Sequence, residues 1–235
     1  MSDDPIEQPA TAPATVGPSP SPASVASRRR TAVETEPLNP MLVIISGPAG
    51  VGKDTIIEAL QKRGHRPDYH YVVTCTTRGR RPNEIDGVSY NFVSPVEFMA
   101  LRDAGELLEA NEVHNNWYGT PRAGVRDALA GGQHAILKID VQGARVVKSC
   151  VPEALLIFVV PPSLDTLVEH LRARRTESAE QLEIRQRNAA IELARKDDYD
   201  YVVVNEEGRV DHTAKRIEEI IEQEERRGSR RAVTV

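Results

Sequence analysis

Apolar positions along this chain fall into two patterns. Short, nearly unbroken runs occur at 41–46, 135–141, 155–160 and 201–204, and each predicts a buried strand of a parallel sheet. Between them, apolar residues recur at helical spacing. Ile56, Ile57 and Leu60 predict a helix after the first strand, with Gly64 as its stop. Ser94-Pro95-Val96-Glu97 has the form of a capping box with Pro at the first helical position, so a helix runs to about Ala104 and closes at Gly105. Thr120-Pro121 opens another that ends at Gly131-Gly132. Ser163 caps a helix through about Arg172, and Ser178-Ala179-Glu180-Gln181 starts one that reaches about Arg195. Residues 211–227 form a charged helix with Ile217, Ile220 and Ile221 on its inner face. Residues 69–93 read as short strands and turns, with a turn at Asp86-Gly87. Strands alternating with helices predict an α/β fold, its parallel sheet covered on both faces.

Residues 1–40 break this pattern. They hold eight of the sixteen prolines, many Ser, Thr and Ala, and no aromatic residue. Such a segment buries too little apolar surface to offset its ordering entropy, so a disordered tail is expected. Its Arg28-Arg29-Arg30 reads either as a solvated basic patch or as a contact for a phosphate or a partner. Residues 228–235 read as a flexible basic tail.

Composition narrows the function. Apolar residues make up 40% and aromatics 4%, so the core is aliphatic. A net charge of −5 argues against a general nucleic-acid binder. No apolar run has the length of a membrane span. The first residues are acidic with no apolar stretch behind them, so no signal peptide is expected. Cys75 and Cys150 form no CxxC pair, and a reducing cytoplasm is the default location. The six histidines show neither HExxH nor zinc-finger spacing, there is no GxSxG elbow, and no aromatic-basic stripe suits single-stranded nucleic acid.

The segment Gly47-Pro48-Ala49-Gly50-Val51-Gly52-Lys53 fits GxxxxGK, after a predicted strand and before a predicted helix. Glycines let the backbone approach anionic oxygens, and successive N–H groups at the positive helix end hold them. Lys53 reaches the β- and γ-phosphates of a nucleotide. The motif next asks for Ser or Thr, but position 54 is Asp, with Thr55 following. Asp54 has two readings: a favourable acid in a first helical turn, or a group that helps hold Mg²⁺. The Thr55 hydroxyl can still serve a phosphate.

Downstream, Thr76-Thr77-Arg78-Gly79-Arg80-Arg81 puts three arginines within four residues, and the pattern TTRxxRxxExxGxxYxFV runs from Thr76 to Val93. Glu106-Leu107-Leu108-Glu109, Tyr118-Gly119-Thr120, Ile139-Asp140-Val141-Gln142-Gly143-Ala144 and Pro161-Pro162-Ser163 follow in order. With the phosphate loop upstream, these segments resemble guanylate kinase over residues 41–227. The resemblance implies transfer of the γ-phosphoryl of ATP to GMP, with ATP, GMP and Mg²⁺ as ligands. It implies a P-loop NTPase core (41–72, 123–162 and 196–227), a small, mainly β GMP-binding domain (73–122) and a helical lid (163–195).

By resemblance, Arg78, Arg81, Tyr90 and Tyr118 hold the GMP phosphate. Glu84 orients an arginine or lies at the guanine side, and Thr74, Glu109 and Thr120 read the base. One carboxylate suits guanine, whose N1–H and N2 amino group lie side by side, and threonine hydroxyls can donate to O6. Thr120 is equally a natural N-cap before Pro121. The resemblance brings lid arginines Arg174 and Arg185 onto the phosphates and sets Asn205 near the adenine. It places Asp140 at the GMP side, toward the metal through water. Besides Asp54, three residues depart from the family pattern: Lys138 in place of a usual acid, His170 in place of Arg, and Arg175 in place of Gly. Two other readings are a guanylate-kinase-like peptide-binding scaffold and a kinase with another acceptor. The retained Lys53, Arg174 and Arg185 argue against the first, and Thr74, Glu109 and Thr120 against the second.

Overall fold

The computed structural model describes residues 39–63, 69–113, 115–173, 179–228, 233 and 235. Residues 1–38 of the tail expected over 1–40, the Gly64 stop, and Arg174, Arg175 and Ser178 lie outside the described residues.

The main sheet has five parallel strands: β1 (Leu42–Ser46), β2 (Tyr69–Tyr71), β7 (His134–Lys138), β8 (Leu155–Val160) and β9 (Tyr201–Val204), in the order β2-β7-β1-β8-β9. β1 pairs β7 on one side and β8 on the other, and all five of its residues are buried. That is why its sequence is apolar without alternation. Side chains still alternate across the sheet. Val43 and Ile45 pack with Ile56 and Leu60 of α1 (Lys53–Arg63) and with Ile217 and Ile221 of α7 (Val210–Arg227). Leu42 and Ile44 face the other side, with Val125 of α3 (Arg122–Ala130) and Val147 of α4 (Val141–Cys150). Val233 and Val235, in the segment read as a flexible tail, lie partly buried against this second cluster.

After Tyr71 the chain leaves the main sheet and builds a second one. β3 (Cys75–Thr76), β4 (Asn91–Phe92), β5 (Leu107–Val113) and β6 (Asn116–Pro121) pair in the order β4-β3-β6-β5. α2 (Pro95–Asp103) covers this sheet. Its capping box is complete: Ser94 Oγ accepts from Glu97 N, and Glu97 Oε2 accepts from Ser94 N at 2.8 Å. Asp86 Oδ1 accepts from both Gly87 N and Phe92 N, and Gly87 takes a φ of +74°, so the expected turn forms. α3 then returns the chain to β7, beside β2. The remaining helices are α5 (Leu164–Ala173), whose first-turn Thr166 N donates to Ser163 Oγ, and α6 (Ala179–Leu193).

Three expectations are corrected. The strand expected over 135–141 stops at Lys138, and Asp140 caps a helix, α4, that the apolar pattern does not reveal. β-Branched Val141, Val146 and Val147, with Gly143 among them, hide the helical signal. Thr120 opens no helix: β6 runs through Pro121, and α3 begins at Arg122. β9 is an edge strand with only Val203 buried, so Val202 and Val204 face outward.

Candidate active site

The phosphate loop joins β1 to α1. Gly47 takes a φ of +147°, and a Cβ there would lie 2.3 Å from the Val159 carbonyl oxygen, so only glycine fits. Lys53 folds back over the loop, donating to the carbonyls of Gly47 at 2.5 Å and Pro48 at 3.1 Å. Burial lowers its pKa, opposed by the nearby carboxylates of Glu192, Asp140 and Asp54. Asn205, after β9, braces the loop from below. Its Nδ2 donates to the Val51 carbonyl at 2.9 Å, and its Oδ1 accepts from Thr213 Oγ1 at 2.9 Å. Glu192 of α6 accepts from Ala49 N at 3.4 Å, and His170 Nδ1 lies 3.3 Å from the Gly50 carbonyl. Thr55 Oγ1 donates to the Gly52 carbonyl at 2.7 Å.

Across the cleft, Glu84 organises the basic turn. Its carboxylate accepts a two-pronged bond from Arg78, at 2.7 and 3.1 Å, and a third from Arg81 N at 2.8 Å. A bidentate pair fixes the plane of the guanidinium as well as its place. Arg78 also stacks 5.5 Å from the Tyr90 ring centroid, and Tyr90 meets Tyr118 edge-on at 6.1 Å. Of the two readings of Glu84, these bonds match the one in which it orients an arginine.

Farther in, Glu109 is only 5% exposed. Thr120 Oγ1 donates to its Oε1 at 2.8 Å, and Asn111 Nδ2 to its Oε2 at 2.6 Å. Burial pushes its pKa up to about 7; Thr120 and Asn111 oppose that rise, and nearby Asp140 reinforces it. Thr120 therefore holds a carboxylate instead of capping a helix. A Cβ at Gly143 would lie 3.1 Å from Glu109 Oε2, so glycine lets α4 pass this close. Asp140 Oδ1 accepts from Gly143 N at 2.8 Å as the α4 N-cap. Thr74, buried, sits where the chain crosses between the two sheets.

These parts meet in one open cleft. Ala49, Gly50, Gly52, Lys53 and Asp54 of the phosphate loop line one side; Thr74, Arg78, Arg81, Tyr90, Glu109, Tyr118 and Asp140 line the other. Thr120, Glu84 and Asn205 stand behind that lining and hold it. Arg185 belongs to α6, but its side chain, like Arg174, lies outside what is described. Sequence reasoning missed Glu192 and Asn111. Asn111, two residues from Glu109 in β5, shares its strand face, a signal available only once the strand is recognised. Glu192 carries none: it lies 143 residues from its loop partner.

A family model described as guanylate kinase matches residues 39–224. The chain is 46% identical over 168 residues to a guanylate kinase of Nocardia farcinica, spanning 71% of this chain and 86% of that one. It is 40% identical over 210 residues to guanylate kinase 2, chloroplastic/mitochondrial, of Oryza sativa subsp. japonica, spanning 87% of this chain and 73% of that one. A crystal structure of guanylate kinase from Anaplasma phagocytophilum superposes with a TM-score of 0.68 at 31% identity, covering 81% of this chain and 89% of that one.

Proposed function

The chain belongs to the guanylate kinase family, an ATP:GMP phosphotransferase by descent, and from that premise we propose how its residues divide the work. ATP seats on the loop from Gly47 to Asp54, and GMP lies across the cleft. The observation that carries this reading is that one cleft holds both the phosphate loop and the set of Arg78, Arg81, Tyr90, Tyr118 and Glu109.

Arg78, Arg81 and the two tyrosines take the GMP phosphate, and Glu84 keeps Arg78 flat against it. Glu109 accepts from guanine N1–H and N2 in its ionised form. Thr74 faces the base, while Thr120 serves through Glu109. Adenine, lacking N1–H, would leave a buried carboxylate facing a lone pair. The attacking phosphate oxygen is largely deprotonated near neutral pH, its second pKa being about 6, so no general base is needed. Catalysis is positioning and charge neutralisation of an in-line transfer. Lys53 gives up the Gly47 and Pro48 carbonyls for the donor phosphates, and Arg174 and Arg185 close from the lid to exclude water.

Mg²⁺ fits the donor set. Asp54 and Asp140 supply oxygens beside Lys53, and among the described residues no group of three or more His, Cys, Asp or Glu could hold a metal unaided. That suits an ion brought in by phosphate oxygens with one or two carboxylates helping. Bound there, it would neutralise charge on the transferring phosphates. Both cysteines are free, which supports a reducing compartment, the cytoplasm. No helix among the described residues is long and apolar enough to cross a membrane.

The test is ADP release from ATP with GMP, AMP, UMP or CMP as acceptor. Turnover with GMP alone supports the assignment; comparable turnover with AMP removes it. A second expectation concerns Glu84. Glu84→Gln should raise the KM for GMP about tenfold and leave kcat within about threefold, because Arg78 loses its bidentate partner but stays in place. Steady-state kinetics at fixed ATP checks this, and an unchanged KM would show that Arg78 needs no such support.

A further inference from the structure

One cleft residue, Lys138, carries a charge that the assignments above do not use, and it meets Asp54. Asp54 stands in the first turn of α1, right after Lys53, where the phosphate-loop motif carries a hydroxyl. A carboxylate there repels the phosphates of an incoming nucleotide. Lys138 ends β7, the neighbour of β1, at the level of Ile45. Its Nζ donates to Asp54 Oδ1 at 2.5 Å and lies 4.7 Å from the Tyr90 ring centroid. The lysine side chain is 17% exposed and the aspartate 57%, so the cation is wedged between the phosphate loop and an acceptor-side tyrosine.

Each residue by itself is a fault. Asp54 alone adds negative charge at an anion site, and Lys138 alone sets a half-desolvated cation on a strand end. Together they are neutral, and the bond between them spans 84 residues of sequence.

We propose that Lys138 is a positioning residue for the donor nucleotide: it cancels the charge of Asp54 beside the phosphate loop, so that an anionic nucleotide can seat there. Its contact with Tyr90 ties that compensation to the acceptor side of the cleft. The proposal rests on the loop being the donor site. Removing Lys138 takes from Asp54 the counter-charge that β7 supplies beside the phosphate loop. At surface-like dielectric this weakens nucleotide binding by about tenfold.

The experiment titrates ADP calorimetrically in EDTA, where neither turnover nor metal contributes. The proteins are wild type, Lys138→Met, Asp54→Ser and the double variant, each with a melting curve. Methionine keeps an unbranched apolar stem and removes the ammonium that lies over Tyr90. Lys138→Met should weaken ADP about tenfold, Asp54→Ser should bind as tightly as wild type or more tightly, and the double variant should return to within about threefold of wild type. In turnover, the KM of Lys138→Met for ATP should follow its ADP affinity while its kcat stays within about threefold. A double variant as weak as Lys138→Met overturns the proposal, because Lys138 would then act by its own contact with phosphate; so does wild-type affinity in Lys138→Met. If Lys138→Met does not fold, Asp54→Ser decides by itself: unchanged or tighter binding supports compensation, and a tenfold loss overturns it. ADP affinity untouched by Lys53→Met would instead remove the donor-site reading beneath the proposal.

Discussion

Lys53→Met is expected to lower kcat about a thousandfold, equivalent to ~4 kcal/mol of transition-state stabilisation. The Lys53 ammonium already lies at the mouth of the loop, bonded to the Gly47 and Pro48 carbonyls. Burial opposes its charge, and Glu192, Asp140 and Asp54 sustain it. A cation so placed gains most when phosphate charge develops beside it, and a dry site magnifies that gain. Methionine keeps the apolar stem and loses the charge together with the hydrogen bonds to the Gly47 and Pro48 carbonyls. Because a desolvated cation contributes little to folding, the melting temperature should stay level or rise. Steady-state kinetics with GMP and a thermal melt separate the two effects. A kcat loss under tenfold, or a fall in melting temperature of several degrees, would make Lys53 a brace for the loop instead.

The second large effect is at Glu109. Glu109→Gln should reduce kcat/KM for GMP by about a thousandfold, because the amide offers donors where guanine also donates and leaves a buried pair mismatched. Wild type should also show a pH signature. With a pKa of about 7 in the free protein, only about a tenth of Glu109 is ionised at pH 6 and about nine tenths at pH 8. The value of kcat/KM for GMP should therefore rise about tenfold between those pH values. Ionisation of the GMP phosphate itself adds about twofold, and Glu109→Gln should retain only that smaller rise. The stability linkage runs the other way. A carboxyl whose folded pKa lies above its ordinary value of 4.5 stabilises the fold fully below about pH 4.5, and that contribution fades as pH rises through about 7. Melts of the unliganded protein should show Glu109→Gln gaining on wild type across that window. A pH profile no steeper than the variant's would remove Glu109 from base recognition.

Much of this could be read before any fold was in hand, for a local reason. The strand, loop and helix from Met41 to Leu60 announce themselves because β1 is covered on both faces and the phosphate loop is contiguous. The α2 capping box needs only four residues, Ser94 to Glu97, and it formed with both of its bonds. α4 stayed hidden because its valines and Gly143 favour no helix by themselves; Asp140 and packing against the sheet make one. β9 looked buried because Tyr201 to Val204 are apolar, but its rank at the sheet edge depends on strand order, which no single segment contains.

The site divides along the same line. Family membership, the kinase chemistry and the loop that grips phosphate are carried by dense motifs whose residue types the chemistry demands, so the sequence by itself determined them. Only the tertiary structure decided which charges meet. Thr120 became the partner of Glu109 rather than a helix cap, Glu84 the support of Arg78, Asn205 a brace for Val51, and Lys138 the counter-charge of Asp54. The physical reason is that the energy of a charge or a buried hydroxyl depends on distance and on the dielectric around it. Both are set by strands and helices brought together from positions as far apart as Val51 and Asn205.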